Sequence, residues 1–164
     1  MACGFFKQKT AYEIQKAVSA FLLNRSSDLL PAYGTCAGII LLAREIQNPA
    51  PGQGSLRVLD VTVRRNAFGA QVDSFEADLE VPAVSAEPVH AVFIRAPAVL
   101  RAGGEVEVLA SVPASRRSAA PPELGLDDAA QVPVAVRQGR VLATSFHPEV
   151  TGDHSFHREF LRGL

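Results

Sequence analysis

Leu29-Leu30-Pro31-Ala32-Tyr33 is a short apolar run, and Gly34-Thr35-Cys36-Ala37-Gly38 is followed at once by Ile39, Ile40, Leu41, Leu42 and Ala43. This pattern predicts a strand, a sharp turn and a helix running to about Ile46, which Asn48-Pro49-Ala50-Pro51-Gly52 stops with two prolines and a glycine. Val58, Val61 and Val63 mark a further strand, and another begins near Phe75 with Ala77, Leu79 and Val81 on one face. The runs His90 to Ile94 and Val106 to Ala110 predict two more. Residues 113–131, rich in Ala, Pro, Ser and Arg, show no periodicity and are expected to form a surface loop. Val132 to Arg137 and Val141 to Phe146 flank Gln138-Gly139-Arg140 as a hairpin. From Asp153 to Leu164, the spacing of Phe156, Phe160 and Leu161 is helical. No internal repeat is visible.

A chain of 164 residues, 48% hydrophobic and 20% charged, can bury one real core and is short for two ordinary domains. Its formal net charge of -1 gives no electrostatic footprint for nucleic acid or an anionic membrane surface. No apolar run approaches the roughly 18 residues of a membrane-spanning helix, and the first residues lack the pattern of a secretory signal. A cytoplasmic protein is the expectation. Two cysteines, Cys3 and Cys36, are too few for the disulfide framework of a small secreted domain, so free thiols are expected.

Cys36 on a strand-to-helix turn between two glycines is well placed for a nucleophile, since the turn exposes the side chain and the glycines relieve crowding. A cysteine in apolar company is also commonly a buried core residue, and spacing alone leaves both readings open. His147-Pro148-Glu149 follows the run Val141 to Phe146, so both side chains emerge at the end of a strand. If that strand lies parallel to the one before Cys36, a triad is possible: imidazole as general base and acid, carboxylate holding its second nitrogen. Taken alone, the pair reads as a turn histidine and a helix-side charge.

The combination of the Gly-flanked cysteine and the later His-Pro-Glu resembles class I glutamine amidotransferases. Longer stretches narrow the resemblance: Tyr33 to Gly38, Arg64-Arg65-Asn66-Ala67-Phe68-Gly69, Gln71 to Leu79, Phe93-Ile94-Arg95-Ala96-Pro97, and Ala143 to Glu149. These are similar to the glutaminase subunits of pyridoxal 5'-phosphate synthase, over residues 29–164. The resemblance implies a three-layer, flavodoxin-like α/β fold and hydrolysis of L-glutamine to L-glutamate and ammonia through a cysteinyl thioester. The ammonia would pass to a separate synthase subunit that makes pyridoxal 5'-phosphate. It further implies Cys36, His147 and Glu149 as the triad, Arg65, Ile94 and Arg95 as glutamine contacts, and the Ala37 N–H as an oxyanion donor. The glutaminase chemistry needs no metal or cofactor. Asp73 and Glu76 are candidates for a synthase-facing surface or simply exposed charges.

Two departures stand beside the resemblance. The family ordinarily carries more chain before its nucleophile, including the first strands of the sheet and a Pro-Gly-Gly-Glu-Ser loop that supplies the second oxyanion donor. Loss of one such donor commonly costs about 10²- to 10³-fold in turnover. Residues 1–28 stand outside the resemblance, and Lys7 to Ile14 resembles the translation of a sequencing-library adapter, although Ala17, Val18, Phe21 and Leu22 also fit a short helix. The competing expectations are therefore a working glutaminase, an inactive fragment that retains a synthase-binding surface, and another cysteine hydrolase on the same sheet architecture.

Overall fold

The computed structural model describes residues 31–67, 74–116 and 130–164. The segment 1–28, Asp73 and most of the expected loop at 113–131 lie outside the described residues. Strand β1 (Ala32–Thr35) leads through Cys36 into helix α1 (Ala37–Leu42), as the apolar pattern predicts. The helix stops well short of Ile46. Ala43 already has extended backbone, with φ -56° and ψ 147°, and Ala43–Gln47 is strand β2. It pairs parallel with β3 (Leu59–Arg64), whose Leu59, Val61 and Val63 are fully buried, and this tertiary pairing overrides the helical preference of Ala43-Arg44-Glu45.

Strands β4 (Phe75–Leu79) and β5 (Val89–Phe93) form an antiparallel pair, with Phe75, Ala77 and Leu79 turned inward between exposed Glu76 and Asp78. Strand β6 (Ala98–Ala102), unanticipated in the sequence, lies antiparallel to β3. Strand β7 (Glu107–Pro113) runs into a short 3₁₀ turn at Ala114–Arg116. Strands β8 (Gln131–Gln138) and β9 (Val141–Thr144) form the expected hairpin, closed by Gly139-Arg140 with Gly139 at φ 54°. The chain ends in α2 (Pro148–Thr151) and α3 (Ser155–Arg162). Phe156 is fully buried, whereas Leu161 is 61% exposed, so the apolar stripe of α3 is narrower than its spacing suggests.

The strands assemble in the orders β1-β9-β8-β7, β2-β3-β6 and β4-β5. The pairing that matters for chemistry is β1 parallel to β9, with Gly34 opposite Ala143 and Thr35 opposite Thr144. Parallel strands deliver their C-terminal ends to the same edge, so the residues after Thr35 and after Thr144 emerge side by side. A chain of four phenyl rings fixes that edge. Phe75 stacks on Phe93 at 4.3 Å, Phe93 meets Phe146 at 5.5 Å, and Phe146 meets Phe156 edge-on at 5.3 Å. Phe93 and Phe146 immediately precede Ile94 and His147, so packing in the core sets where both segments leave the sheet.

No helix among the described residues is long and apolar enough to cross a membrane.

Candidate functional site

Cys36 occupies the turn between β1 and α1 with φ 46° and ψ -103°, a backbone conformation that non-glycine residues rarely adopt. Its N–H donates to the Thr144 carbonyl at 2.8 Å, which ties the turn to the end of β9. Gly34 makes the turn possible. A Cβ there would lie 2.7 Å from the Gly38 carbonyl carbon and 2.8 Å from Leu42 Cδ1, so α1 can approach β1 this closely only over a hydrogen. Gly38 is different: a Cβ there meets nothing within 4 Å, and the crowding expected at both glycines exists only at the first.

Beyond β9, the His147 N–H donates to the Val92 carbonyl of β5 at 3.0 Å, bringing this segment against the end of β5 as well. The His147 Nδ1 and Glu149 Oε1 are 2.7 Å apart. That bond commits Nδ1 to the carboxylate and leaves Nε2 as the ring nitrogen open to another partner. The imidazole is a quarter exposed and the carboxylate about half exposed, so the pair sits at the rim of the site. Burial pushes the Glu149 carboxyl up, but the hydrogen bond from His147, a backbone N–H and the charges of His147 and His157 together outweigh it and hold it below the usual carboxylate value.

The Cys36 Sγ donates to the Ile94 carbonyl at 3.8 Å. Burial pushes the thiol up, the neighbouring Ala37 N–H eases its ionisation, and the Glu149 charge pushes it up again. The sulfur thus faces a carbonyl oxygen, which accepts a hydrogen bond from a thiol and offers nothing to a thiolate. Arg95, the next residue, is exposed and stands at φ 48°.

The structure thus brings Cys36, Ala37, Ile94, His147 and Glu149 to one edge. Arg65 is joined at one remove: its backbone is held by Asn48 through bonds of 3.0 and 3.3 Å, and Ala67 at the end of the same turn donates to the Ala96 carbonyl at 3.1 Å. Among the described residues, no cluster of three or more His, Cys, Asp or Glu is placed to hold a metal ion. A cavity of about 770 Å³, lined by Arg44, Arg57, Asp60 and Arg140 among others, opens toward Val141 at the far end of β9 and includes none of these residues.

Sequence reading passed over the residues that lock the site together. The Thr144 carbonyl anchors Cys36, and the Thr144 hydroxyl donates to the Phe146 carbonyl at 3.2 Å, shaping the exit from β9. Strand register is invisible in one sequence, so neither contact could have been read there. Tyr33 and His157, whose rings meet at 5.2 Å behind the site, were overlooked too. Tyr33 entered the sequence reading only as part of the stretch before Cys36, and His157 only as a histidine beside Phe156 in the C-terminal helix.

Comparison with known proteins places the chain among amidotransferases. It is 56% identical over 137 residues to pyridoxal 5'-phosphate synthase subunit PdxT of Rhodococcus jostii strain RHA1, covering 84% of this chain and 63% of that protein. For the protein of the same name from Frankia alni, identity is 54% over 132 residues, covering 80% and 58%. For that of Clavibacter michiganensis subsp. michiganensis, it is 52% over 147 residues, covering 90% and 63%. The chain therefore spans about 60% of the length of these curated relatives. A solved structure described as a glutamine amidotransferase superposes with a TM-score of 0.67 at 47% identity, covering 92% of this chain and 67% of that one. The profile of one family matches residues 7–164, and the chain belongs to that family, the SNO glutamine amidotransferases.

Proposed function

We propose that this chain carries the catalytic part of a glutaminase that hydrolyses L-glutamine to L-glutamate and ammonia, and that the ammonia serves a pyridoxal 5'-phosphate synthase subunit docked beside it. The observation that carries the reading is the single edge at which Cys36, on its strained turn, is bonded to the end of β9, three residues before the His147–Glu149 pair. The mild negative charge and the similarity to subunits of the synthase support a cytoplasmic protein working in a hetero-oligomer. The similar solved structure supports the three-layer, flavodoxin-like arrangement for residues 29–164.

In this mechanism His147 takes the Cys36 proton, and the sulfur attacks the side-chain amide carbon of glutamine. The carbonyl oxygen gathers negative charge, toward which the Ala37 N–H donates. As the tetrahedral adduct collapses, the carbon–nitrogen bond breaks, and His147 returns the proton to the departing ammonia. Water, deprotonated by the same imidazole, then attacks the thioester, and the carbon–sulfur bond breaks to release glutamate and the thiol. Glu149 holds the ring by Nδ1 and balances its positive charge at both protonated stages. Arg65, Ile94 and Arg95 contact the substrate. No metal or cofactor enters any step.

A second reading, a binding remnant that docks without turning over, is favoured by one observation: the hydrogen bond of the Cys36 thiol goes to the Ile94 carbonyl and not to His147. Glutamate release by the chain mixed with a synthase subunit, run beside Cys36→Ala, separates the two. Release above the Cys36→Ala background is expected; equal rates with both proteins folded and docked would leave only the remnant.

A further inference from the structure

We propose that Asn48 is a positioning residue for Arg65, fixing the direction in which that arginine meets glutamine; this rests on the reading of Arg65 as a substrate contact given above. The side chain of Asn48 grips both backbone polar groups of one residue. Its Oδ1 accepts the Arg65 N–H at 3.0 Å, and its Nδ2 donates to the Arg65 carbonyl at 3.3 Å. A carboxamide carries the same donor and acceptor as a peptide group, so it can stand in for a partner strand.

The strand it stands in for is β2, which ends one residue too soon. The parallel pairing of β2 with β3 runs as far as Gln47 opposite Arg64, and the next pair in register would be Asn48 with Arg65. Asn48 instead stands at φ 51°, so its backbone turns away and its side chain fills the place left in the ladder. A left-handed turn alone would be met as well by glycine, which reaches that region without strain. Of glycine, aspartate and asparagine, the usual occupants of this conformation, asparagine alone offers Arg65 both a donor and an acceptor. The turn by itself therefore does not account for the residue found there.

Arg65 is held between two fixed points. Asn66 follows in the left-handed region at φ 48°, and the Ala67 N–H donates to the Ala96 carbonyl at 3.1 Å. Ala96 directly follows Ile94 and Arg95, and the Ile94 carbonyl accepts the Cys36 thiol at 3.8 Å. A continuous line of contacts thus runs from Asn48 through Arg65 and Ala67 to the segment that faces the nucleophile. A guanidinium only donates hydrogen bonds, so Arg65 can meet glutamine only at an oxygen, and its aim depends on where its own backbone is fixed. Arg64 is paired on both sides, with Gln47 and Ala98, so loss of the Asn48 bonds disturbs the Arg65 peptide and leaves the sheet in place. Bound substrate must then supply the ordering that Asn48 now supplies, which weakens its binding.

The test uses the full chain, wild type beside Asn48→Gly, with a synthase subunit present. Glycine keeps the left-handed turn and removes both bonds. Three quantities are read: kcat and KM for glutamine, the dissociation constant for glutamine in a Cys36→Ala background, and the thermal midpoint. Both bonds are exposed to solvent, so KM and the dissociation constant are expected to rise together by about two- to tenfold, with kcat unchanged within about twofold. The thermal midpoint is expected to hold, since glycine relieves the strain of this φ as the bonds are lost. Asn48→Asp keeps the bond from the Arg65 N–H and loses the other; its KM is expected to fall between the two, and it carries the test if the glycine variant fails to fold. An unchanged KM and dissociation constant in folded Asn48→Gly, or losses in kcat and KM that merely follow a lower thermal midpoint, overturn the proposal. A wild type that binds glutamine without hydrolysing it would instead refute the glutaminase reading, and the dissociation constants alone would then decide the role of Asn48.

Discussion

Gly34 and Gly38 flank the same cysteine, yet replacing each with alanine should have opposite effects on stability. At Gly34 the added methyl would sit 2.7 Å from the Gly38 carbonyl carbon, 2.9 Å from its oxygen and 2.8 Å from Leu42 Cδ1. Carbon atoms rest comfortably at about 3.5 to 4.0 Å, so the start of α1 must retreat by roughly 1 Å. Leu42 can turn aside, but the Gly38 backbone can move only if the helix leaves β1. Overpacking of this kind costs about 1 to 3 kcal/mol. At Gly38 the methyl meets nothing within 4 Å, and alanine is favoured over glycine in a helix by about 0.5 to 1 kcal/mol. The two variants should therefore differ by roughly 1.5 to 4 kcal/mol, with Gly38→Ala the more stable. Urea unfolding followed by far-ultraviolet circular dichroism measures this directly in a chain that has no tryptophan. If Gly34→Ala proves as stable as Gly38→Ala, the close approach of α1 to β1 is not the reason for Gly34.

Three other outcomes are expected. Glu149→Gln should lower glutamine hydrolysis by about 10²- to 10⁴-fold, while alkylation of Cys36 by iodoacetamide shifts to lower pH, because the Glu149 charge pushes the thiol up; an alkylation midpoint that stays put or rises would contradict that coupling. His90 bridges Asp78 at 2.7 Å and Glu76 at 3.2 Å across the β4–β5 pair, and those bonds hold its imidazole above the ordinary value. Its support is then complete below the ordinary histidine value and lost as pH rises through the higher folded-state value, so amide exchange in β5, corrected for intrinsic rate, should accelerate over that range in the wild type and not in His90→Gln. Phe156→Ala removes a fully buried ring from the chain of phenyls and should cost about 3 to 5 kcal/mol in urea unfolding; a loss below 1 kcal/mol would mean that α3 packs by other means.

The site was more legible in the sequence than the sheet that carries it. Cys36 between its glycines and His147-Pro148-Glu149 after an apolar run are local patterns, and local geometry does place them at a turn and a strand end. Which strands lie side by side is not local. Ala43 to Gln47 reads as the end of a helix because Ala, Arg and Glu favour helices, and only the buried partner β3 makes it a strand. Ala98-Val99-Leu100-Arg101-Ala102 escaped notice for the same reason. The two glycines carry identical signals in the text, and their difference depends on where α1 lies against β1.

Cys36 acquires its anchor only when Thr144 reaches it, because β1 and β9 pair across most of the chain's length. During synthesis on a ribosome the cysteine emerges early and its partner strand late. Through that interval the thiol is an ordinary accessible one, open to oxidation or to capture by another cysteine, and the strand beside it has no parallel neighbour. A nascent chain arrested before β9 would bear this cysteine without the Thr144 anchor and without the Glu149 charge that raises its thiol.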